Sequence, residues 1–311
     1  MMRAMIFLFT ALVSAAIAVA PAWADDGQAA GADSNPEKHS LRYKFQPGET
    51  IRWEVMQQSR VRTTLSGTTQ VAETVTKSVK VWRVTDVTSD GTATFEHLVE
   101  SVDMRNQFSG REEVRYDSLT DETPPPGFEA VAESIGVPLA VVTMNARGEI
   151  LRRQRKPVKA AAQNTEGQMT VPLPDEAIAV GHAWSLPYDL EVPLENGTVK
   201  KVKTLQTFKL ASVKSGVATI EVATKILTPI HNPAVEAKLI QREQSGTVRF
   251  DVDAGRMLHQ QLDLDRRVVG FTPNNPASSL HYLTRFTETL LPEGPKTASR
   301  PVPAEAEASK Y

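Results

Sequence analysis

Leu41-Arg42-Tyr43-Lys44-Phe45-Gln46-Pro47-Gly48-Glu49-Thr50-Ile51-Arg52-Trp53-Glu54-Val55 is the stretch from which the fold is read. Leu41, Tyr43 and Phe45 alternate with Arg42 and Lys44, and Ile51, Trp53 and Val55 alternate with Arg52 and Glu54. Period two, rich in aromatic and β-branched residues, is the pattern of a half-buried strand, and Gln46-Pro47-Gly48 supplies the turn between two of them. Further strands are expected at 68–87, 92–102, 112–116, 139–144 and 150–154. In the second half they are expected at 184–192, 198–213, 217–226, 237–251, 257–264 and 281–290. Ser89-Asp90-Gly91, Glu195-Asn196-Gly197, Ser215-Gly216 and Asp253-Ala254-Gly255 provide the residues that tight hairpins require. Helical signal is scarce. Residues 128–135 can form two turns with Phe128, Val131 and Ile135 on one face, and 157–164 reads as a short helix or a linker.

The order of elements repeats. Pro47-Gly48-Glu49-Thr50-Ile51-Arg52-Trp53 is matched by Val180-Gly181-His182-Ala183-Trp184, and the hairpin around Gly91 by the one around Gly216. Val114-Arg115-Tyr116-Asp117 is then matched by Val248-Arg249-Phe250-Asp251. The expected fold is mainly β: two tandem antiparallel curved-sheet units, half-barrel-like, with few short helices. The first spans 41–155 and the second 171–291, joined by a linker over 156–170.

Met1–Ala24 reads as a signal peptide. Arg3 precedes an apolar run, and Ala22-Trp23-Ala24 gives a small-x-small cleavage pattern before Asp25. Residues 25–40 and 292–311 are small and polar, expected as a disordered leader and tail. The chain has 311 residues and no cysteine, which excludes disulfides, thiolate zinc sites, a cysteine nucleophile and a lipidated cysteine. With 35 Lys+Arg against 37 Asp+Glu, the basic footprint of a nucleic-acid-binding domain is absent.

The succession of these turn-and-strand motifs, with Met144-Asn145-Ala146-Arg147-Gly148-Glu149-Ile150 between them, resembles an uncharacterised family of exported, planctomycete-type bacterial proteins built on a domain of unknown function. No catalytic residue comes with that resemblance. More distantly the arrangement is similar to the half-barrels of periplasmic lipoprotein carriers, which implies a curved antiparallel sheet around an apolar cavity plugged by short helices. The chain differs from them in its two copies and its scarcity of helix.

Reactive constellations are hard to find. His39, His97, His182, His231, His259 and His281 form no metal-ligand spacing. There is no Gly-x-Ser-x-Gly elbow, no Ser-x-x-Lys pair and no phosphate-cradling loop, although a dispersed triad leaves no such signature. Asp251-Val252-Asp253-Ala254-Gly255 begins like a calcium loop, but Arg256 and Leu262 stand where glycine and glutamate are needed, so a β-turn is expected. Asp263 and Asp265 share a strand face, as an acid/base pair or as a charge-paired strand end beside Arg266 and Arg267. Arg147, Arg152, Arg153, Arg155, Lys156 and Lys159 form a basic run, suited to anionic lipid or cell-wall polymer or to a solvated connector. Asn196-Gly197-Thr198 is both a sequon and a hairpin turn.

The candidate ligand-binding residues are Trp53, Trp184, Phe95 and His97, the tryptophans able to stack on a ligand or to pack a core. No catalytic, cofactor-binding or metal residue is assigned, and no cofactor is expected. The expected function is non-enzymatic: an exported envelope interaction or structural protein, periplasmic or extracellular. One alternative is a carrier of a lipid-like apolar ligand in the concave face of the sheet. Another is a hydrolase with a dispersed site. The expected partners are accordingly an envelope protein or a lipid-like small molecule, with no nucleic acid and no membrane span after signal cleavage.

Overall fold

A computed structural model describes residues 37–156, 170–194 and 197–292. The expected signal peptide, residues 25–36 of the leader, the helix or linker at 157–164, Lys159, Asn196 and the tail from 293 lie outside the described residues. In the first half the strands are β1 (Lys38–His39), β2 (Thr50–Leu65), β3 (Thr68–Val87), β4 (Ala93–Phe108), β5 (Val114–Asp117), β6 (Ala140–Met144) and β7 (Ile150–Arg155). In the second they are β8 (Ile178–Ala179), β9 (Ala183–Pro193), β10 (Val199–Lys214), β11 (Val217–Ile226), β12 (Ser245–Asp251), β13 (Arg256–Val269) and β14 (Ser279–Leu290). Helices are α1 (Glu129–Ala132) and α2 (Pro233–Leu239), the latter continued by a 3-10 turn, Ile240–Arg242.

The chain is mainly β, as its alternation predicts, and the large sheet is antiparallel and not closed into a barrel. Its strand order is β7-β6-β4-β3-β2-β14-β13-β12-β11-β10-β9, with β5 added beside β4. The two expected units therefore meet in one sheet. Their seam is the β2–β14 pair, which runs without a register break from Trp53–Leu290 to Thr64–Ser279. β1 and β8 form a separate two-stranded patch.

Curvature follows from what the core contains. Val142 and Met144 of β6 share one buried cluster with Phe208 of β10, Ile220 of β11 and Phe250 of β12. Five strands separate β6 from β12 in the sheet, so the sheet bends until its two halves face each other. Register shifts lie near the same end of the strands, at Val84/Asp86, Thr143/Met144, Leu210/Ser212 and Arg249/Phe250. A bulge adds local twist and bends the strand that carries it.

The 41–45 segment corrects the first expected strand. It joins no ladder, yet Leu41 and Tyr43 are buried and Phe45 packs against them. The Tyr43 N–H donates to Ala146 O at 2.7 Å, in the β6–β7 turn, and the Lys44 N–H donates to Gly255 O at 3.1 Å, in the β12–β13 turn. Alternation here buries every second side chain, while the backbone bonds two turns instead of a neighbouring strand. The Tyr43 ring meets Phe250 edge-on at 5.2 Å and lies parallel to Phe45 at 6.1 Å. Its hydroxyl donates to Val171 O at 3.3 Å and accepts from the Val171 N–H at 3.1 Å. Burial pushes this phenol up.

Residues 237–244 are a second correction. They were expected in a strand running to Asp251, but that strand starts at Ser245 and α2 with its 3-10 turn precedes it. Asn232 caps the helix, its side chain accepting from the Ala234 N–H at 2.8 Å, and Pro233 occupies the first turn. Val235 and Leu239, four apart, then pack on Val192 and Val202. The third sequence match also changes meaning: β5 pairs with residues 103–106 of β4, whereas β12 pairs with residues 217–223 of β11. No helix among the described residues is long and apolar enough to cross a membrane.

Gly148 has φ +83°, and a Cβ there would lie 2.6 Å from the Tyr43 ring and 2.7 Å from Val171 O. Gly67 has φ +81° with nothing within 4 Å. Gly148→Ala is therefore expected to cost about 2–4 kcal/mol in a urea titration, from left-handed strain plus overpacking. Gly67→Ala carries the strain alone and should cost about 1–2 kcal/mol. Equal costs would mean that the turn does not press on Tyr43.

Candidate functional site

The inner face of the sheet is defined here as the face that carries Trp53. Trp53 is 3% exposed, and its indole N–H donates to Met257 O at 3.1 Å. It meets Trp82 at 4.8 Å, and Trp82 stacks on Phe95 at 4.3 Å. His97 is the direct cross-strand partner of Trp82. The structure thus brings Trp53, Phe95 and His97 together. Trp184 lies in the other half, stacked on Phe208 at 5.6 Å, its N–H donating to Pro172 O at 2.7 Å. Little free space remains between these rings. The crevice lined by Tyr43, Phe45, Ile51, Trp53 and Trp82 measures about 10 Å³, roughly one water.

Two charged residues on the inner face were not singled out from the sequence. The Lys80 ammonium lies 4.6 Å from the Trp53 ring and 4.8 Å from the Trp82 ring, and it is ion-paired with Glu288. Their side chains are only 12% and 5% exposed. Both could have been found by parity: Lys80 shares a strand face with Trp82, and Glu288 with Phe286 and Leu290. His97 Nδ1 and Trp82 Nε1 are buried without a hydrogen-bond partner. Burial pushes the His97 imidazole down to about 3, and the positive charges of Lys80 and Arg153 add to the effect.

Beyond Lys80 and Glu288 the inner face changes character. Register places residues 57, 59, 61, 63 and 65 of β2 on this face, with the even positions 68–78 of β3 and 280–286 of β14. None of them is charged. Val61, Thr63, Thr74, Thr76, Tyr282 and Phe286 are half-buried there, and Thr284 is buried. The outer face of the same strands carries the ions: Arg60–Glu73 at 3.2 Å, Lys77–Glu54 at 2.8 Å and Arg285–Asp263 at 2.7 Å. Short helical plugs flank the uncharged strip. Phe128 at the start of α1 packs with Val102 and Tyr116, and α2 packs over β9 and β10 at the opposite side.

Two larger hollows lie at the rims. One, of about 520 Å³, is lined by Phe45, Ile51, Arg52, Arg256 and Leu290 among others. Its cations are engaged: Arg52 with Glu100 at 2.7 Å, Arg256 with Glu49, and Lys44 with Asp253 O at 2.9 Å. The other, of about 530 Å³, runs between α2 and the β13–β14 connection.

The remaining sequence candidates are dispersed. Asp263 and Asp265 face outward, bonded to Arg285 and to His281 at 2.6 Å, and the Arg285 guanidinium holds the Asp263 carboxyl below its usual range. Asp251 accepts from the Ala254 N–H at 2.7 Å within the expected turn. His259 bonds Thr289 at 2.9 Å, while His182 and His231 are exposed. Among the described residues, no three His, Asp or Glu side chains are grouped to hold a metal ion. Of the basic run, Arg147 pairs with Glu149 and Asp175, and Arg153 falls on the inner face opposite Val142.

The fold defines the class: an open, bent antiparallel sheet with a filled aromatic end and an uncharged strip beyond it. No family model matches the chain, and no curated protein matches it. Among solved structures, lipovitellin, described for its lipid–protein interactions, is similar at 12% identity and a TM-score of 0.45, over 83% of this chain and 27% of its own. DynF from the dynemicin biosynthesis pathway of Micromonospora chersina is similar at 7% identity and a TM-score of 0.20, over 83% of this chain and 89% of its own. The chain thus spans about a quarter of the length of lipovitellin.

His97 makes the fold acid-sensitive. Its folded value of about 3 lies below the ordinary histidine value of 6.5. Between these values the unfolded chain takes up a proton that the folded chain does not. This contribution to stability is complete above pH 6.5 and is lost as pH falls through the window. From pH 7 to pH 5 the loss is expected to be about 2 kcal/mol. His97→Gln should remove that increment from urea unfolding measured at both pH values, and an unchanged pH slope in the variant would refute the assignment.

Proposed function

We propose that the chain is an exported, non-enzymatic binding protein that takes a lipid-like ligand along the uncharged strip of the inner face. The supporting observation is the segregation of charge across β2, β3 and β14. On the outer face these strands hold cross-strand ion pairs, while the inner positions beyond Lys80 and Glu288 carry hydroxyl, amide, aliphatic and aromatic groups only. An acyl chain laid on this strip desolvates no ion, and threonine offers a methyl as readily as a hydroxyl. Burying apolar ligand surface there is worth about 25 cal/mol per Å². The export reading rests on Arg3, the apolar run and Ala22-Trp23-Ala24. The 41–155 and 171–291 segments are read as related units, a reading supported by α1 and α2. Each helix lies between strands that pair with one another, β4 with β6 and β11 with β12.

Protein exported from its own host is expected to begin at Asp25 and to retain lipid in native mass spectrometry. Val61→Glu or Phe286→Glu should weaken uptake of a fluorescent fatty acid by tenfold or more, with Gln58→Glu on the outer face as the unaffected control. Clean apo protein without uptake of the probe would sink the lipid reading. A reproducible envelope protein recovered in place of lipid would favour an interaction role on the same surface.

A further inference from the structure

The hollow of about 530 Å³ between α2 and the β13–β14 connection carries a charge pattern unlike the rest of the second half. Leu194, Val235, Phe271 and Pro273 form apolar walls, and Lys200 and Lys238 are the charged residues among its described lining. Its size falls within the roughly 300–1,000 Å³ of small-molecule sites.

Three other lysines of β10 face the outer side with an acidic residue directly across: Lys201 opposite Glu191, Lys203 opposite Asp189 and Lys209 opposite Glu221. Lys200 differs. It falls on the inner face opposite Val192, half-buried, with no carboxylate or hydrogen-bond partner among the described residues. Lys238 reaches the same hollow from the last turn of α2, one donor committed to Pro193 O at 2.8 Å and two left over. Glu243, the acid that follows the 3-10 turn, is held by Arg266 at 2.8 Å. Two lysines therefore line an apolar groove that has no carboxylate among its described lining residues.

We propose that this groove binds the carboxylate of a fatty acid, with Lys200 and Lys238 on the anion and Val235, Leu194 and Phe271 against the chain. The proposal rests on the lipid-like reading above and gives it a head group. The unpaired, inward lysine is its carrying observation: an anion completes the hydrogen bonds that Lys200 lacks, and a neutral lipid does not.

The test compares dodecanoic acid with dodecanol on the mature chain by isothermal titration, for the wild type and for Lys200→Gln/Lys238→Gln. The acid is expected to bind about tenfold more tightly than the alcohol. The double variant should bring the acid down to the alcohol and leave the alcohol unchanged, with an unaltered melting temperature as the folding control. Equal binding of acid and alcohol, or indifference of the acid to the double substitution, overturns the groove assignment while leaving the strip intact. Binding of neither ligand overturns both.

Discussion

Two hairpin turns from opposite halves of the chain close on the same extended segment, and the rest of the structure depends on that clasp. The β6–β7 turn bonds the Tyr43 N–H and the β12–β13 turn bonds the Lys44 N–H. Between them Leu41 and Tyr43 enter the core, each worth about 1.5–3 kcal/mol of burial. The same two turns sit at the ends of β6 and β12, whose side chains share the buried cluster. The glycines at the two turns belong to this arrangement, since Gly148 and Gly255 both have positive φ and both leave no room for a side chain beside the segment. Residues 170–173 add a second strap: the Thr170 hydroxyl bonds Gly148 O, and Pro172 O receives the Trp184 indole N–H.

Beyond the clasp, the central strands β2, β3 and β14 divide their charged groups by face. Ion pairs on the outer side bridge neighbouring strands in water, where each is worth at most about 1 kcal/mol and mainly fixes register and solubility. On the inner side Lys80 and Glu288 are largely withdrawn from solvent, so each depends on the other and Lys80 also on the two indole faces. This buried pair separates the filled aromatic end from the uncharged strip.

Much of this was legible in the alternation of residues. β3 and β11 begin and end where period two and their flanking turns place them, at Thr68–Val87 and Val217–Ile226. Alternation fails where burial does not come from a ladder: the 41–45 segment has a strand's parity but bonds two turns. It fails again at α2, where Ala237, Leu239 and Ile240 read equally well as strand or helix, although Asn232-Pro233 is a helix start that could have decided it. The structure brings the candidates Trp53, Phe95 and His97 together on one face, but sequence carries no measure of the space left between rings. Lys200 was invisible for a related reason, because only strand pairing shows that it lacks the acidic neighbour of Lys201 and Lys203.

The β2–β14 seam has a consequence for how the molecule is made. Trp53 pairs with Leu290 across nearly the whole described chain, so the central ladder cannot form until β14 has been synthesised. Contacts of such sequence separation are slow to find, because loop closure must precede any gain from pairing. Until β14 is made, β2 can pair along one edge alone, with β3, and its other edge stays exposed.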